Sequence, residues 1–187
     1  MKRNLILASA SPRRELLLKK LVKSFKVIPS RVDENKIKAR TPIAFAVKAA
    51  LAKALDISSK HTKAVVIGSD TIVVLGSKIL GKPRSKKEAF KMLKALSGRT
   101  HRVITGVGVV CGQKKIAGYE VTKVKMRKVQ DQVIHDYIAT GGPMDKAGAY
   151  GIQEIEDVFI ERINGDYDNV VGLPVKLLKK LLGDIIK

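Results

Sequence analysis

Residues Ala64 to Pro83 read AVVIGSDTIVVLGSKILGKP, and they contain the most apolar strand-like stretch of the chain. Two runs, Ala64 to Gly68 and Ile72 to Leu75, flank Ser69, Asp70 and Thr71, and Gly76 with Ser77 turns the chain toward Lys78 to Leu80. The pattern predicts a buried strand, broken at the three polar residues, that continues into a short hairpin. A carboxylate inside such a run is unusual, because Asp70 loses hydration unless a metal or a base partners it. A capping or salt-bridged aspartate explains the same pattern equally well. Lys82 follows directly after the hairpin and could bring a cation to the same strand end, a combination suited to metal-assisted phosphate chemistry.

Toward the N-terminus, Leu5 to Ala8 reads as a short buried strand, and Ser11 with Pro12 as an N-cap and first helical residue. That helix should turn Leu16, Leu17, Leu18 and Leu21 toward the core. Arg13 and Arg14 fall in its first turn, where cations oppose the helix dipole, so the pair suggests an anionic ligand. Phe25 to Pro29 is extended. A polar connection holding Asp33 and Glu34 leads to an Ala- and Lys-rich helix from about Pro42 to Ile57.

Toward the C-terminus, Lys86 to Leu96 has helical spacing and ends at Ser97 and Gly98. Val103 to Cys111 and Lys115 to Val124 flank a turn at Gly112 and Gln113 and predict an antiparallel hairpin. A helix from Asp131 to about Thr140 stops at Gly141, Gly142 and Pro143. Met144 to Glu154 has no clear periodicity and reads as a shaped loop. A strand, Val158 to Ile163, then leads through Asn164 and Gly165 to a helix after Pro174. Interleaved helices and strands of both senses predict an α/β fold with a mixed central sheet flanked by helices, in two lobes around a cleft.

With 187 residues, 45% of them hydrophobic, the chain suits one compact domain over residues 1–187 that buries roughly 70% of its unfolded surface. Its apolar stretches fall far short of the ~18 residues that cross a bilayer, which predicts no membrane partner. Lys2 and Arg3 ahead of Leu5 to Ala8 imitate a secretory leader, but the apolar core is too short and Arg13 and Arg14 follow at once. A cytoplasmic location is expected. The single cysteine, Cys111, forms no intramolecular disulfide, and His61, His101 and His135 are too scattered for a local zinc cluster.

Lys plus Arg is 37 and Asp plus Glu is 17, a net charge of +20 that attracts polyanions, nucleotides and nucleic acids among them. Aromatic residues are only 4% and Trp is absent, so the base-stacking equipment of a nucleic-acid module is thin. Lysine pairs such as Lys86 and Lys87 read first as solvated surface. Residues Gly76 to Pro83 nearly satisfy the phosphate-loop pattern but end in proline where a magnesium-binding hydroxyl is required. Gly106, Gly108 and Gly112 have the wrong spacing for a dinucleotide fingerprint. Taken singly, Glu34 and Lys53 read as surface residues.

Several motifs become specific together: LASASPRR (Leu7 to Arg14), Ser69 to Thr71, Gly81 to Pro83, LSGR (Leu96 to Arg99), DKAGAYGIQ (Asp145 to Gln153) and GDYDNVVGLP (Gly165 to Pro174). In this order, and across nearly the whole chain, they resemble the Maf family, and within it the dTTP/UTP pyrophosphatase branch. The resemblance implies a Maf/ITPase-like fold with a nucleotide cleft, and hydrolysis of a nucleoside triphosphate to the monophosphate and pyrophosphate with a divalent cation, Mg²⁺ or Mn²⁺. Asp70 matches the family's proton acceptor, and Glu34 its acidic site residue, with both as candidate metal ligands. Arg13, Arg14, Lys53 and Lys82 would neutralise the triphosphate.

The resemblance also points to Arg13, Thr71 and Gln153 as specificity positions. A glutamine amide offers one donor and one acceptor to the acceptor-donor-acceptor edge of uracil or thymine. Two departures from the family pattern flank Gln153. Gly142 stands where glutamate is common, and Glu154 where glycine is common, which opens the question of modified pyrimidine triphosphates as substrates. A homodimer is implied by resemblance alone. The rival expectation is a nucleic-acid-binding or cell-division regulatory protein that uses the basic surface; nucleic acid is not required by the enzymatic reading.

Overall fold

The computed structural model describes residues 4–186. Met1, Lys2 and Arg3, which include the charged head of the leader-like segment, lie outside the described residues, as does Lys187. The elements in chain order are β1 (Leu5–Leu7), α1 (Pro12–Lys19), β2 (Lys26–Val27), α2 (Pro42–Ser58), β3 (Val65–Leu75), β4 (Lys78–Leu80) and α3 (Lys86–Leu96). They continue with β5 (Thr100–Cys111), β6 (Lys114–Met126), α4 (Asp131–Ala139), α5 (Ile152–Phe159), β7 (Ile160–Asn164), α6 (Tyr167–Val171) and α7 (Val175–Ile186). No helix among the described residues is long and apolar enough to cross a membrane.

The expected mixed α/β sheet is present. Seven strands run in the order β2-β1-β3-β5-β6-β7, with β4 paired to β3. Strand β1 is parallel to both neighbours, placing Ile6 beside Lys26 and Val66, whereas β4 is antiparallel to β3 and β7 to β6. The chain divides into two compact units. One comprises the chain up to Thr71, Thr105–Glu120 and the chain from Gly172; the other comprises Ile72–Ile104 and Val121–Val171.

In the first unit, glycine decides where α2 lies. A Cβ at Gly68 would stand 2.1 Å from the Ala50 carbonyl oxygen, one at Gly106 2.2 Å from that of Ala46, and one at Gly108 2.7 Å from the Leu51 Cα. With no side chains on these strand positions and Ala46, Ala49, Ala50 and Ala54 fully buried on the helix, backbone packs on backbone. Thr41 starts α2 by accepting the Ala44 N–H on its hydroxyl at 3.1 Å. Ile6, Ile57, Val66 and Val110 complete the surrounding core.

The second unit has its own core, in which Leu93 and Leu96 of α3, Val124 and Met126 of β6, Ile134 of α4 and Phe159 of α5 meet. Ser85 caps α3 by accepting the Glu88 N–H, while the Glu88 carboxylate accepts the Arg84 N–H at 2.8 Å.

The structure corrects four expectations. Strand β3 is continuous for eleven residues through Ser69, Asp70 and Thr71. Leu16 is 61% exposed, because consecutive leucines at 100° per residue cannot share one face, and only Leu17 and Leu18 of α1 are buried. The segment expected to be loop through Glu154 instead holds two 3-10 turns and the start of α5, so Val158 is helical and the following strand begins at Ile160. Ile152, Ile155 and Phe159 bury one face of α5 at helical spacing, a period masked by the glycines before it. Helix α6 interrupts the segment expected to run as a turn into the last helix.

Candidate active site

Strand β3 carries Asp70 and Thr71, α1 carries Arg13 and Arg14, the 3-10 turn Glu34–Lys36 carries Glu34, and α2 carries Lys53. All six belong to the first unit. Lys53 is the centre of the arrangement. Its ammonium lies 2.7 Å from Asp70 Oδ1 and 2.6 Å from Glu34 Oε1, with only 12% of the side chain exposed. The two residues that read singly as surface are therefore joined to the buried carboxylate by one cation. Asp33 holds the 3-10 turn in place by accepting the Asn35 N–H at 3.1 Å.

Asp70 Oδ2 is buried and has no hydrogen-bond partner among the described residues. Burial raises the carboxyl pKa above its ordinary value, Lys53 and Arg14 hold it down, and the Glu34 charge pushes it up. The result is a carboxylate with one oxygen clamped and the other able to accept a proton or meet a cation. A buried carboxylate oxygen with no protein donor is chemically suited to accept from a water or to meet a cation. Asp70 and Glu34 offer hard oxygens, which fits Mg²⁺ or Mn²⁺, ions that take one or two carboxylates and fill the rest of their shell with water and phosphate. Among the described residues no group of three His, Cys, Asp or Glu side chains gathers as a closed metal cage.

Arg14 is held on several sides. Its Nε donates to the Gly172 carbonyl at 2.8 Å, Nη2 to Thr71 Oγ1 at 3.0 Å and Nη1 to Ser9 Oγ at 3.4 Å. Burial lowers its pKa, and the carboxylates of Asp70 and Glu34 oppose that shift. Thr71 is not a free hydroxyl, since it also meets Thr105 Oγ1 at 3.0 Å. Ser69 Oγ donates to the carbonyls of Gly106, at 3.2 Å, and Gly172, at 2.9 Å. Gly172 has φ +127°, and a Cβ there would press at 3.4 Å on both Arg14 Nε and Thr71 Oγ1. Sequence reasoning missed Ser9, Ser69, Thr105 and Gly172 as supports of Arg14; Ser9, Ser69 and Gly172 lay inside quoted motifs, but nothing in their spacing revealed the contacts.

Lys82 and Gln153 belong to the second unit. Lys82 is exposed and follows Gly81, whose carbonyl accepts the Gly148 N–H at 3.0 Å, tying the exit of the β3–β4 hairpin to the segment before α5. Gly148 has φ +69° and approaches Val73 so closely that a Cβ would lie 2.9 Å from its side chain. Gln153 is exposed in the first turn of α5. The two departures from the family pattern meet beside it, because a Cβ at Gly142 would stand 2.7 Å from Glu154 Oε2.

Comparison with known proteins finds a matching family and close relatives over nearly the whole chain. The profile of the family described as Maf-like protein matches residues 4–185. A dTTP/UTP pyrophosphatase of Pyrococcus furiosus is 49% identical over 182 residues, covering 96% of this chain and 94% of that protein. A dTTP/UTP pyrophosphatase of Clostridioides difficile is 44% identical over 186 residues, covering 98% and 94%. Among solved structures, a HAM1 protein from Coxiella burnetii has the same fold, with TM-score 0.54, 16% identity, and coverage of 97% of this chain and 99% of that one.

Proposed function

The chain belongs to the family of Maf-like proteins, and from that premise we propose that it hydrolyses dTTP, UTP or modified pyrimidine triphosphates to the monophosphate and pyrophosphate. The observation that carries this reading is the Lys53 bridge between Asp70 and Glu34, which leaves Asp70 Oδ2 without a donor. In the proposed step a water oxygen attacks the α-phosphorus, Asp70 Oδ2 takes the water's proton, and the bond to the bridging oxygen of the β-phosphate breaks with its electron pair leaving on pyrophosphate.

Lys53 keeps Asp70 anionic and fixes its orientation. Arg14, oriented by Gly172, Thr71 and Ser9, places a fixed cation near the two carboxylates, and Arg13 adds a second on the same turn. Lys82 is assigned to phosphate binding and Gln153 to the base edge. Thr71 affects specificity through Arg14, since its hydroxyl is already engaged there. Asp70 and Glu34 would hold the divalent cation, Mg²⁺ or Mn²⁺, which when bound neutralises charge on the pyrophosphate leaving group. The same reading takes residues 1–187 as one family domain, in a cytoplasmic homodimer.

Hydrolysis of UTP in ¹⁸O-labelled water tests the site of attack. Label in UMP is the expected result. Label in pyrophosphate would mean attack at the β-phosphorus and would overturn the assignment.

A further inference from the structure

Lys146 is 93% buried by side-chain measure, 7% remaining exposed, and lies between the two 3-10 turns that precede α5. A buried ammonium must place all its hydrogens on acceptors. Here the acceptors are the Gly142 carbonyl, Asp145 Oδ1 at 2.7 Å and Glu154 Oε1 at 2.9 Å. The second oxygen of Glu154 accepts the Tyr137 hydroxyl at 2.8 Å, and that hydroxyl accepts the Gly151 N–H at 3.1 Å. Tyr137 is locked from α4, where its ring also packs on Phe159 with centroids 5.7 Å apart.

The space for this network is made by glycines. A Cβ at Gly151 would stand 2.7 Å from Lys146 Cε and 3.1 Å from Glu154 Cδ, and one at Gly142 would collide with Glu154 Oε2. The consequence falls on one residue. Gly151 is tied by its N–H, Ile152 is buried, and Glu154 is tied by both carboxylate oxygens and by its own N–H to the Gly151 carbonyl at 2.9 Å. Gln153 stands exposed between these anchors, so the backbone that carries its amide is held on both sides.

We infer that Glu154 is a positioning residue for base selection: through Lys146 and Tyr137 it fixes the first turn of α5 and so aims the Gln153 amide. The inference rests on the proposed reading of Gln153 as the base-contacting side chain. A turn free to shift lets the amide reach a pairing position on either pyrimidine edge, whereas a held turn limits the positions from which it can pair, and an unmatched amide costs binding to cytosine. Glu154 therefore acts on the ratio of UTP to CTP turnover, and leaves the hydrolytic step at Asp70 untouched.

The test compares kcat/KM for UTP and CTP in the full-length wild type, Gln153→Ala, Glu154→Gln, Tyr137→Phe and the Gln153→Ala/Tyr137→Phe pair. Tyr137→Phe keeps the ring and removes only the hydroxyl, so it probes the network where Glu154→Gln disturbs the buried ammonium. The expected result is that Tyr137→Phe and Glu154→Gln each lower the UTP/CTP ratio by about tenfold, with kcat for UTP changed less than twofold, and that the double variant is no less selective than Gln153→Ala alone. Wild-type selectivity in both Glu154→Gln and Tyr137→Phe, alongside loss of it in Gln153→Ala, would overturn the positioning role and leave the proposed function standing. Additive loss in the double variant would likewise overturn it. Absence of triphosphate hydrolysis by the wild type would instead remove the proposed function itself.

Discussion

Asp70 carries its charge inside a strand, so its protonation follows every charge around it. A proton acceptor works only when deprotonated, and burial has raised this carboxyl. Turnover should therefore fall as pH drops through this carboxyl's pKa, which burial and Glu34 raise and which Lys53, Arg14 and a bound divalent cation lower. Lys53→Met removes the strongest charge opposing that rise, so the acid limb of the pH–rate profile moves to higher pH. A limb that stays in place would assign it to another group. Asp70→Asn, nearly equal in volume, should lower kcat by about 10²–10⁴-fold, the usual worth of a general base, with the fold intact by circular dichroism. At this scale Asp70 was visible from sequence because polar residues rarely sit in such a run, but Glu34 and Lys53 were not. Their significance lies in a bridge between residues 17 and 19 positions apart in the chain, and only the resemblance singled them out.

Helix α2 rests on strand backbone, and that contact is where single methyl groups should matter most. Gly108→Ala forces a Cβ to within 2.7 Å of the Leu51 Cα and should cost about 1–3 kcal/mol, read as a lower Tm. Gly183→Ala, where nothing lies within 4 Å, is the control and should be neutral or slightly stabilising. An equal Tm for both variants would contradict the close approach.

On β5, His101 is buried with Nε2 at 2.7 Å from the Tyr150 hydroxyl, and burial pushes its pKa down to about 4 from 6.5. The unfolded chain then binds the extra proton first, so this residue's contribution to stability is complete above pH 6.5 and is lost as pH falls toward 4. The loss amounts to about 3 kcal/mol at most. His101→Gln should flatten the dependence of chemical-denaturation midpoints on pH in that window, and an unchanged slope would place the titration elsewhere. Element by element, α3 was legible to the residue because its period and its stop at Ser97 and Gly98 agree. Helix α5 was not, because Gly148 and Gly151 before it imitate a loop while serving close packing against Val73 and Lys146.

A net charge of +20 surrounds a site that must receive a triphosphate. Long-range attraction acts on encounter, and salt screens it over about 10 Å at 0.1 M. Raising ionic strength should therefore lower kcat/KM for UTP while kcat stays nearly constant; a matching fall in kcat would place the salt effect within the site. The mixed α/β sheet was legible from alternating patterns along the chain, whereas the division into two units was not a matter of segments. Strands β3, β5 and β6 each supply residues to both, so no composition shift or linker marks a boundary.

In the proposed reaction Asp70, bridged through Lys53 to Glu34, drives hydrolysis of pyrimidine triphosphates. Pyrophosphate release with Mg²⁺ across UTP, dTTP, CTP, ATP, GTP, 5-methyl-UTP and pseudo-UTP, by wild type and Asp70→Asn side by side, tests it most directly. Release from the uracil and thymine nucleotides or their modified forms, lost in the variant, is the expected result. Folded wild type that releases no pyrophosphate from any of them, or an Asp70→Asn protein as active as wild type, would contradict it.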